Sequence, residues 1–265
     1  MRVTANGIAI NYEINGQGDN IVFIHGAFDN LDMWYNQVPI FSNKYRVITY
    51  DLRGFGKTES PEGEYSISLF AEDLYEFSKA IGIEGGIYIG FSLGGSVAVD
   101  LAIEHPEIVK AIVMANSSAG LAVTTPPPNA QERFQTIQDL LDKGEIRKAA
   151  EMMAAAALSP NFSSKNPVEF ERYVRVKLQN DPQTFARVMR SLRREVSKPD
   201  VNRLICPTLI IVGENDSVMG PEQGKQVQQA IPNSKLALVA AGHASAIERP
   251  DQFNTVVLDF ISEII

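Results

Sequence analysis

A succession of short apolar runs that do not alternate with polar residues constrains this chain more than any other feature. They are Ile21-Val22-Phe23-Ile24, Tyr45-Arg46-Val47-Ile48-Thr49-Tyr50, Ile87-Tyr88-Ile89, Ala111-Ile112-Val113-Met114-Ala115 and Thr208-Leu209-Ile210-Ile211-Val212, with a weaker one at Lys235-Leu236-Ala237-Leu238-Val239. A β-branched run of this kind has no polar face to give to water, so each strand must be covered on both sides, as in a parallel sheet. Helical patterns separate the runs. Ile67, Phe70, Leu74, Phe77 and Ile81 share one face, opened by Ser66 or Ser68 and stopped by Gly82; Leu93 to Glu104 follows the third run directly. Pro250, suited to a first helical turn, opens a last helix carrying Phe253, Val256, Val257 and Phe260. Strand and helix repeated this way predict an α/β chain, a mostly parallel sheet with helices on both faces. Ahead of it, Ile8 to Ile14 alternates after Asn6-Gly7, as in an antiparallel edge hairpin.

One region breaks the rhythm. Between about Ser117 and Arg203 there is no strand signal, only four helical patterns punctuated by Gly144, Pro160, Pro167 and Pro182. They carry Phe134, Ile137, Leu140 and Leu141; Ala149 to Leu158; Tyr173, Val174 and Leu178; and Phe185, Val188, Met189 and Leu192. Thr124-Thr125-Pro126-Pro127-Pro128-Asn129 reads as a stiff connector into this block. The expected organisation is a core of residues 1–116 and 204–265, with residues 117–203 inserted as a four-helix cap. A chain of 265 residues is long enough for one core with such an insertion.

Charge and cysteine usage narrow the classes of function. The net charge is −8 and no Lys/Arg run is present, so neither a nucleic-acid nor an anionic-membrane footprint is expected. No stretch approaches the roughly 18 apolar residues of a membrane span, and Met1 to Gly7 lacks a signal-peptide apolar segment, so a cytoplasmic protein is expected. Cys206, the single cysteine, can form no intramolecular disulfide and reads as a small buried hydrophobe.

The chemistry gathers at strand ends. Gly90-Phe91-Ser92-Leu93-Gly94, between a predicted strand and a predicted helix, is a G-x-S-x-G pattern whose small residues leave room for a sharp, strained turn. That turn lifts the Ser92 hydroxyl above the sheet as a nucleophile, beside the Leu93 N–H. His25-Gly26-Ala27-Phe28, ending the Ile21 run, allows the Ala27 N–H to face the same space, and two such donors make an oxyanion hole. His25 reads as a hydrogen-bonded support of that loop and a neighbour of the pocket. Among the three histidines, His105 sits at a helix end and reads as an exposed cap. His243, in Ala241-Gly242-His243-Ala244 after the last strand, is the candidate base. Asp216 in Gly213-Glu214-Asn215-Asp216 leaves the Thr208–Val212 strand and is the candidate acid that orients His243, with Glu214 as its competitor.

With Ser, Asp and His in that order, the chain resembles the α/β-hydrolase superfamily along essentially its whole length. Asp51-Leu52-Arg53-Gly54-Phe55-Gly56-Lys57-Thr58 looks like the family's D-x-R-G-x-G-x-S turn, and Gly242-His243 with Glu248-Arg249-Pro250 is similar to its histidine loop. In layout the chain looks most like the 3-oxoadipate enol-lactonase and carboxylesterase group, whose cap lies at the same point. Ser92 stands where dehalogenases and epoxide hydrolases of the fold carry an Asp. Relatives that cleave carbon–carbon bonds usually show S-G-P-G after His-Gly and a Trp after the histidine, where this chain has Ala27-Phe28-Asp29-Asn30 and Ala244. The resemblance therefore implies a serine hydrolase of esters or lactones, working through an acyl-enzyme without metal or cofactor, as a monomer or homodimer. Carbon–carbon hydrolysis and a ligand-hydrolysing receptor are the alternatives. Phe28, Phe91, Met152 and Met153 are the expected apolar wall for a modest-sized hydrophobic substrate.

Overall fold

The computed structural model describes residues 1–121, 130–194 and 199–265. Its strands are β1 (Arg2–Ala5), β2 (Ile8–Asn15), β3 (Asn20–Ile24), β4 (Arg46–Tyr50), β5 (Gly86–Phe91), β6 (Val109–Ala115), β7 (Thr208–Gly213) and β8 (Ser234–Val239). They form one eight-stranded sheet in the order β1-β2-β4-β3-β5-β6-β7-β8. The β1–β2 hairpin turns at Asn6 and Gly7, both left-handed with φ of 43° and 76°, and β2 lies antiparallel on β4. All pairings from β4 through β8 are parallel.

Successive side chains of a strand point to opposite faces, which explains why the runs carry no polar alternation. Val22 and Ile24 of β3 enter one apolar layer while Ile21 and Phe23 enter the other, and all four are fully buried. The helices are α1 (Val38–Phe41), α2 (Ile67–Ala80), α3 (Leu93–Glu104), α4 (Ala130–Asp142), α5 (Ile146–Ala157), α6 (Phe162–Lys165), α7 (Pro167–Lys177), α8 (Pro182–Arg194), α9 (Pro221–Ala230), α10 (Ser245–Glu248) and α11 (Pro250–Ser262). The first layer takes Phe70, Leu74 and Phe77 of α2, Val97 and Leu101 of α3 and Val227 of α9. The second takes Trp34, Phe41 and, from α11, Phe253, Val257 and Phe260. Of the two candidate caps of α2, Ser66 is the one used: its hydroxyl accepts from the Leu69 N–H at 3.0 Å, satisfying one of the helix's orphan donors.

Helices α4 to α8 all fall between β6 and β7. Four of them have 11 to 13 residues; the fifth, α6, is a single turn of 4 between Pro160 and Pro167 that carries too little periodicity to be read in advance. The connector expected at 124–129 lies outside the described residues. Cys206 is buried, and burial pushes its thiol up to about 11. His105 hydrogen-bonds Glu72 at 3.2 Å and stacks on Tyr75 at 3.5 Å, at the end of α3. Among the described residues, no helix is long and apolar enough to cross a membrane.

Parallel strands end together, so the C-terminal ends of β3, β5, β6 and β7 deliver His25, Ser92, Asn116 and Asp216 to one edge of the sheet. The approach is so close that glycine is required at β5 and α3. A Cβ on Gly90 would lie 2.1 Å from the Gly94 carbonyl oxygen, and one on Gly94 would lie 2.3 Å from that of Ile24. Gly94→Ala should therefore lower the melting temperature by several degrees, reflecting overpacking of about 1–3 kcal/mol against backbone that cannot yield. Gly85→Ala, whose Cβ would meet only the Lys110 side chain at 3.5 Å, should leave it within about a degree or two. Thermal unfolding of the two variants followed by circular dichroism checks the contrast.

Candidate active site

Ser92 follows β5 at φ 50° and ψ −111°, a conformation that a residue with a side chain adopts only where its surroundings enforce it. Its N–H is tied to the Ala115 carbonyl at 2.9 Å, and Gly95 N–H donates back to Ser92 at 3.1 Å. The hydroxyl stands 3.1 Å from His243 Nε2. On the other side of the ring, Nδ1 lies 2.9 Å from Asp216 Oδ2. A carboxylate accepts only, so Nδ1 carries the proton and Nε2 is free to take one from Ser92.

Asp216 is buried and its two oxygens are fully engaged. Oδ1 accepts from the Val218 and Met219 N–H groups at 2.7 and 2.9 Å, and Oδ2 also accepts from Asn116 Nδ2 at 2.9 Å. Burial alone would raise this carboxyl, but the charge and hydrogen bond of His243, with the Met219 and Asn116 donors, outweigh it and hold it below the ordinary value. Glu214, the competitor, is exposed.

The loop bearing His243 is fixed from beneath. Glu248 Oε2 accepts from Gly242 N–H at 2.9 Å and from Ser159 N–H at 2.8 Å, and Ala244 N–H donates to the Ala157 carbonyl at 2.6 Å. The last two contacts join the loop to the end of α5 and the residues just after it.

The His25–Phe28 loop is held just as firmly. His25 has no exposed surface, Nδ1 lies 2.7 Å from the Gly26 carbonyl, and Nε2 accepts from Leu52 N–H at 2.9 Å. Only the neutral ring protonated on Nδ1 satisfies both bonds, and burial pulls its pKa down to about 4. The Asp51 turn that carries Leu52 is itself closed on the carboxylate, which accepts from Leu31, Lys57 and Asn11 at 2.8 Å each. Beyond Ala27, Phe28 sits at φ 65°, its carbonyl accepting from Asn180 Nδ2 at 3.2 Å and its ring set edge-on to Phe185 at 3.7 Å. Asn30 Nδ2 donates to Val176 O at 2.8 Å, and Asp29 pairs with Lys177 at 2.8 Å. Leu93 N–H lies in the first turn of α3, where no intrahelical acceptor exists. Ser92, Ala27 and Leu93 meet in one cavity of about 310 Å³.

A second cavity, of about 180 Å³, opens from Ser92, His243 and Ala27 and is walled by Phe28, Phe91, Phe134, Ile137, Met153, Ala156, Ala157, Phe185 and Met189, with Asp29, Tyr173, Lys177 and Val218. The arrangement supplies the elements of acyl transfer: a hydroxyl beside a base and a base oriented by a buried carboxylate, with Ala27 and Leu93 lining the same cavity as the hydroxyl.

The family model of the alpha/beta hydrolase fold matches residues 19–250. The chain belongs to the α/β-hydrolase family. It is 28% identical over 257 residues to 3-oxoadipate enol-lactonase 2 of Acinetobacter baylyi, covering 96% of this chain and 94% of that one. Over 269 residues it is 27% identical to the 2-hydroxy-6-oxo-6-(2'-aminophenyl)hexa-2,4-dienoic acid hydrolase of Metapseudomonas resinovorans, with 98% and 90% covered. Among solved structures, the enol-lactonase from Burkholderia xenovorans LB400 superimposes with a TM-score of 0.88 at 25% identity, covering 99% of this chain and all of that one.

Two residues expected in this α/β hydrolase's pocket stand outside the second cavity's lining. His25 is sealed beneath the loop by its two hydrogen bonds. On α5 the cavity is met by Met153, Ala156 and Ala157, which share a face at i, i+3 and i+4, while Met152, about 100° round the helix from Met153, is not among its lining. Sequence reasoning also missed Asn116. This residue is buried, left-handed at φ 52°, donates to Asp216 and accepts from Ser245 Oγ at 2.6 Å. Its signal was an Asn in Ala115-Asn116-Ser117, at the end of a core strand.

Two predictions come from this geometry. His25 must stay neutral in the folded chain, whereas in the unfolded chain it takes up a proton below about 6.5. Stability should accordingly fall by roughly 1.4 kcal/mol per pH unit between about 6.5 and about 4 on this residue's account. His25→Asn should flatten that part of a urea-unfolding profile measured against pH; an unchanged slope would refute a buried neutral ring. Should the chain turn over esters, Met153→Trp should penalise long-chain p-nitrophenyl esters over acetate by roughly 5- to 150-fold, the effect of overfilling an apolar wall. Met152→Trp should leave the chain-length profile as it was, and kinetics over the ester series compare the two.

Proposed function

We propose that this chain hydrolyses carboxylic esters or lactones of small to medium hydrophobic substrates through an acyl-enzyme. The observation that carries the reading is the hydrogen-bonded succession Ser92–His243–Asp216 opening onto an apolar cavity. In this reading Ser92 Oγ attacks the carbonyl carbon while its proton passes to His243 Nε2, and the carbonyl's electron pair moves onto oxygen, facing the Ala27 and Leu93 N–H groups. Collapse of that adduct expels the alcohol, which takes the proton from His243. A water molecule then gives its proton to the same ring and attacks the acyl-enzyme carbonyl; collapse of this second adduct breaks the bond to Ser92 Oγ, which takes the proton back from His243 as the acid leaves. Asp216 stays ionised throughout and stabilises the imidazolium. The helices between β6 and β7 act as a cap that closes the substrate cavity over Ser92, and each step is complete without a metal or organic cofactor.

The lactonase relatives support a cyclic or acyclic ester as substrate. The relative named as a dienoic acid hydrolase is the observation that favours a second reading, hydrolysis of a carbon–carbon bond on the same residues. A panel of p-nitrophenyl esters, aliphatic lactones, an enol-lactone and a vinylogous 1,5-diketone acid separates the two. Ester or lactone turnover at about 1–1000 per second supports the first; cleavage of the diketone acid alone supports the second. Within the active class, Asp216→Asn should reduce kcat on the order of 10³- to 10⁴-fold, because the ring loses the partner that fixes its tautomer. Glu214→Gln should cost less than threefold. Equal losses from both would remove Asp216 from the role.

A further inference from the structure

Apart from Ser92 and His243, the described lining of the cavity holds a single polar group, the trio Asp29, Tyr173 and Lys177. All three are almost wholly buried, with Lys177 3% and Asp29 1% exposed. Lys177 Nζ donates to Asp29 Oδ1 at 2.8 Å and to Tyr173 Oη at 3.1 Å, and Tyr173 in turn donates to Asp29 Oδ2 at 3.3 Å. Burial and the Asp29 carboxylate push the Tyr173 phenol far above its usual range, so its proton stays on that bond. An ion pair in an apolar wall is a poor device for stability alone, since well-packed hydrophobic residues do as well or better. The loop is moreover already pinned by Asn180 and Asn30, through bonds that involve no charge pair.

An ammonium has three donors pointing in different directions. Two are used on oxygen atoms, the centre of the Tyr173 ring lies 4.2 Å from Nζ on the same side as its hydroxyl, and no third oxygen or nitrogen accepts from Nζ among the described residues. The carboxylate and the phenol are satisfied within the trio, so the open valence is the third N–H of Lys177, on a group that lines the cavity. Asp29 has already neutralised the charge. An incoming carboxylate would place a second negative charge beside Asp29 in a poorly solvated site, whereas an uncharged oxygen accepts the bond at no such cost.

We propose that Lys177, held by Asp29 and Tyr173, is a second recognition point that donates a hydrogen bond to an uncharged oxygen of the substrate, namely a ketone, amide or ester carbonyl removed from the scissile group. Lys177 is then a specificity-determining residue, and the preferred substrates are neutral oxo-, amide- or diester-type esters and lactones; alkyl chains come second and carboxylate-bearing chains last. The proposal rests on Ser92 being the nucleophile of an ester or lactone hydrolase.

The test compares kcat/KM for p-nitrophenyl esters of one chain length: the plain alkyl chain, its 3-, 4- and 5-oxo forms, and the chain ending in a carboxylate. A second series carries the same chains on the alcohol side of an acetate. In the wild-type protein one oxo chain should exceed its alkyl counterpart by about tenfold or more, the worth of a hydrogen bond from a charged donor. The carboxylate should fall below the alkyl chain. The double variant Asp29→Asn with Lys177→Met, which removes both charges together, should bring the oxo-to-alkyl ratio to within twofold, the ratio being read within the variant so that any common change of rate cancels. Tyr173→Phe, which keeps both charges and unties Nζ, is the second arm and should lower the same ratio severalfold. The proposal is overturned if no oxo chain is preferred in either series, if the preference survives the double variant or Tyr173→Phe, or if the carboxylate is preferred. Hydrolysis with a flat profile overturns this inference alone. Absence of hydrolysis for every ester overturns the ester-hydrolase reading beneath it.

Discussion

The strained turn at Ser92 is the constraint on which the rest of the site depends. A non-glycine residue at φ 50° costs on the order of 1–3 kcal/mol and persists only where neighbouring structure over-determines it. Here a central strand supplies the rigidity, since β5 is paired on both sides and every residue of it is buried. Glycines at 90 and 94 remove the atoms that would otherwise hold β5, α3 and β3 apart. The sharp turn and the close strands are thus one feature, and together they set the hydroxyl within reach of a ring carried from a distant loop, 151 residues away in sequence.

That ring and the loop facing it are positioned from two directions. From the sheet side come Asn116 and the Val218 and Met219 amides on Asp216, and Leu52 on His25. From the helices between β6 and β7 come Asn180 on Phe28, Val176 on Asn30, Lys177 on Asp29, and Ala157 and Ser159 on the histidine loop. The inserted helices are therefore bonded to both loops that face Ser92. Under the proposed mechanism such an element would couple substrate fit to transition-state stabilisation, because a shift in the helices would move both loops.

Much of this was legible in the residues because burial on both faces leaves a distinctive record. The six apolar runs became the six strands β3 to β8, with β1 and β2 as the antiparallel edge, and the Gly-x-Ser-x-Gly turn followed from sharp local sterics. Contacts between segments far apart in sequence left no such record. Asn116 looks like the start of a polar loop, and only the approach of β7 and the histidine loop gives its amide two partners. Lys177 looks like a solvated helix cation, although it stands at i+4 from Tyr173 on the buried face, which is the one local hint of its environment. Met152 and Met153 are equivalent as composition, and only the rotation of α5 distinguishes them. The one-turn helix α6 was invisible for want of length.

The most direct test of the account is to map the residue modified by an alkyl fluorophosphonate, which captures a hydroxyl activated by a neighbouring base. Treated protein should gain one adduct, located on Ser92 by peptide mass spectrometry. Its formation should be abolished in Ser92→Ala, and should be slowed by several orders of magnitude in His243→Ala, with both variants keeping the wild-type circular dichroism spectrum. An adduct on another residue, or wild-type labelling rates without His243, would contradict the central claim that the strained turn presents Ser92 as a nucleophile to that ring.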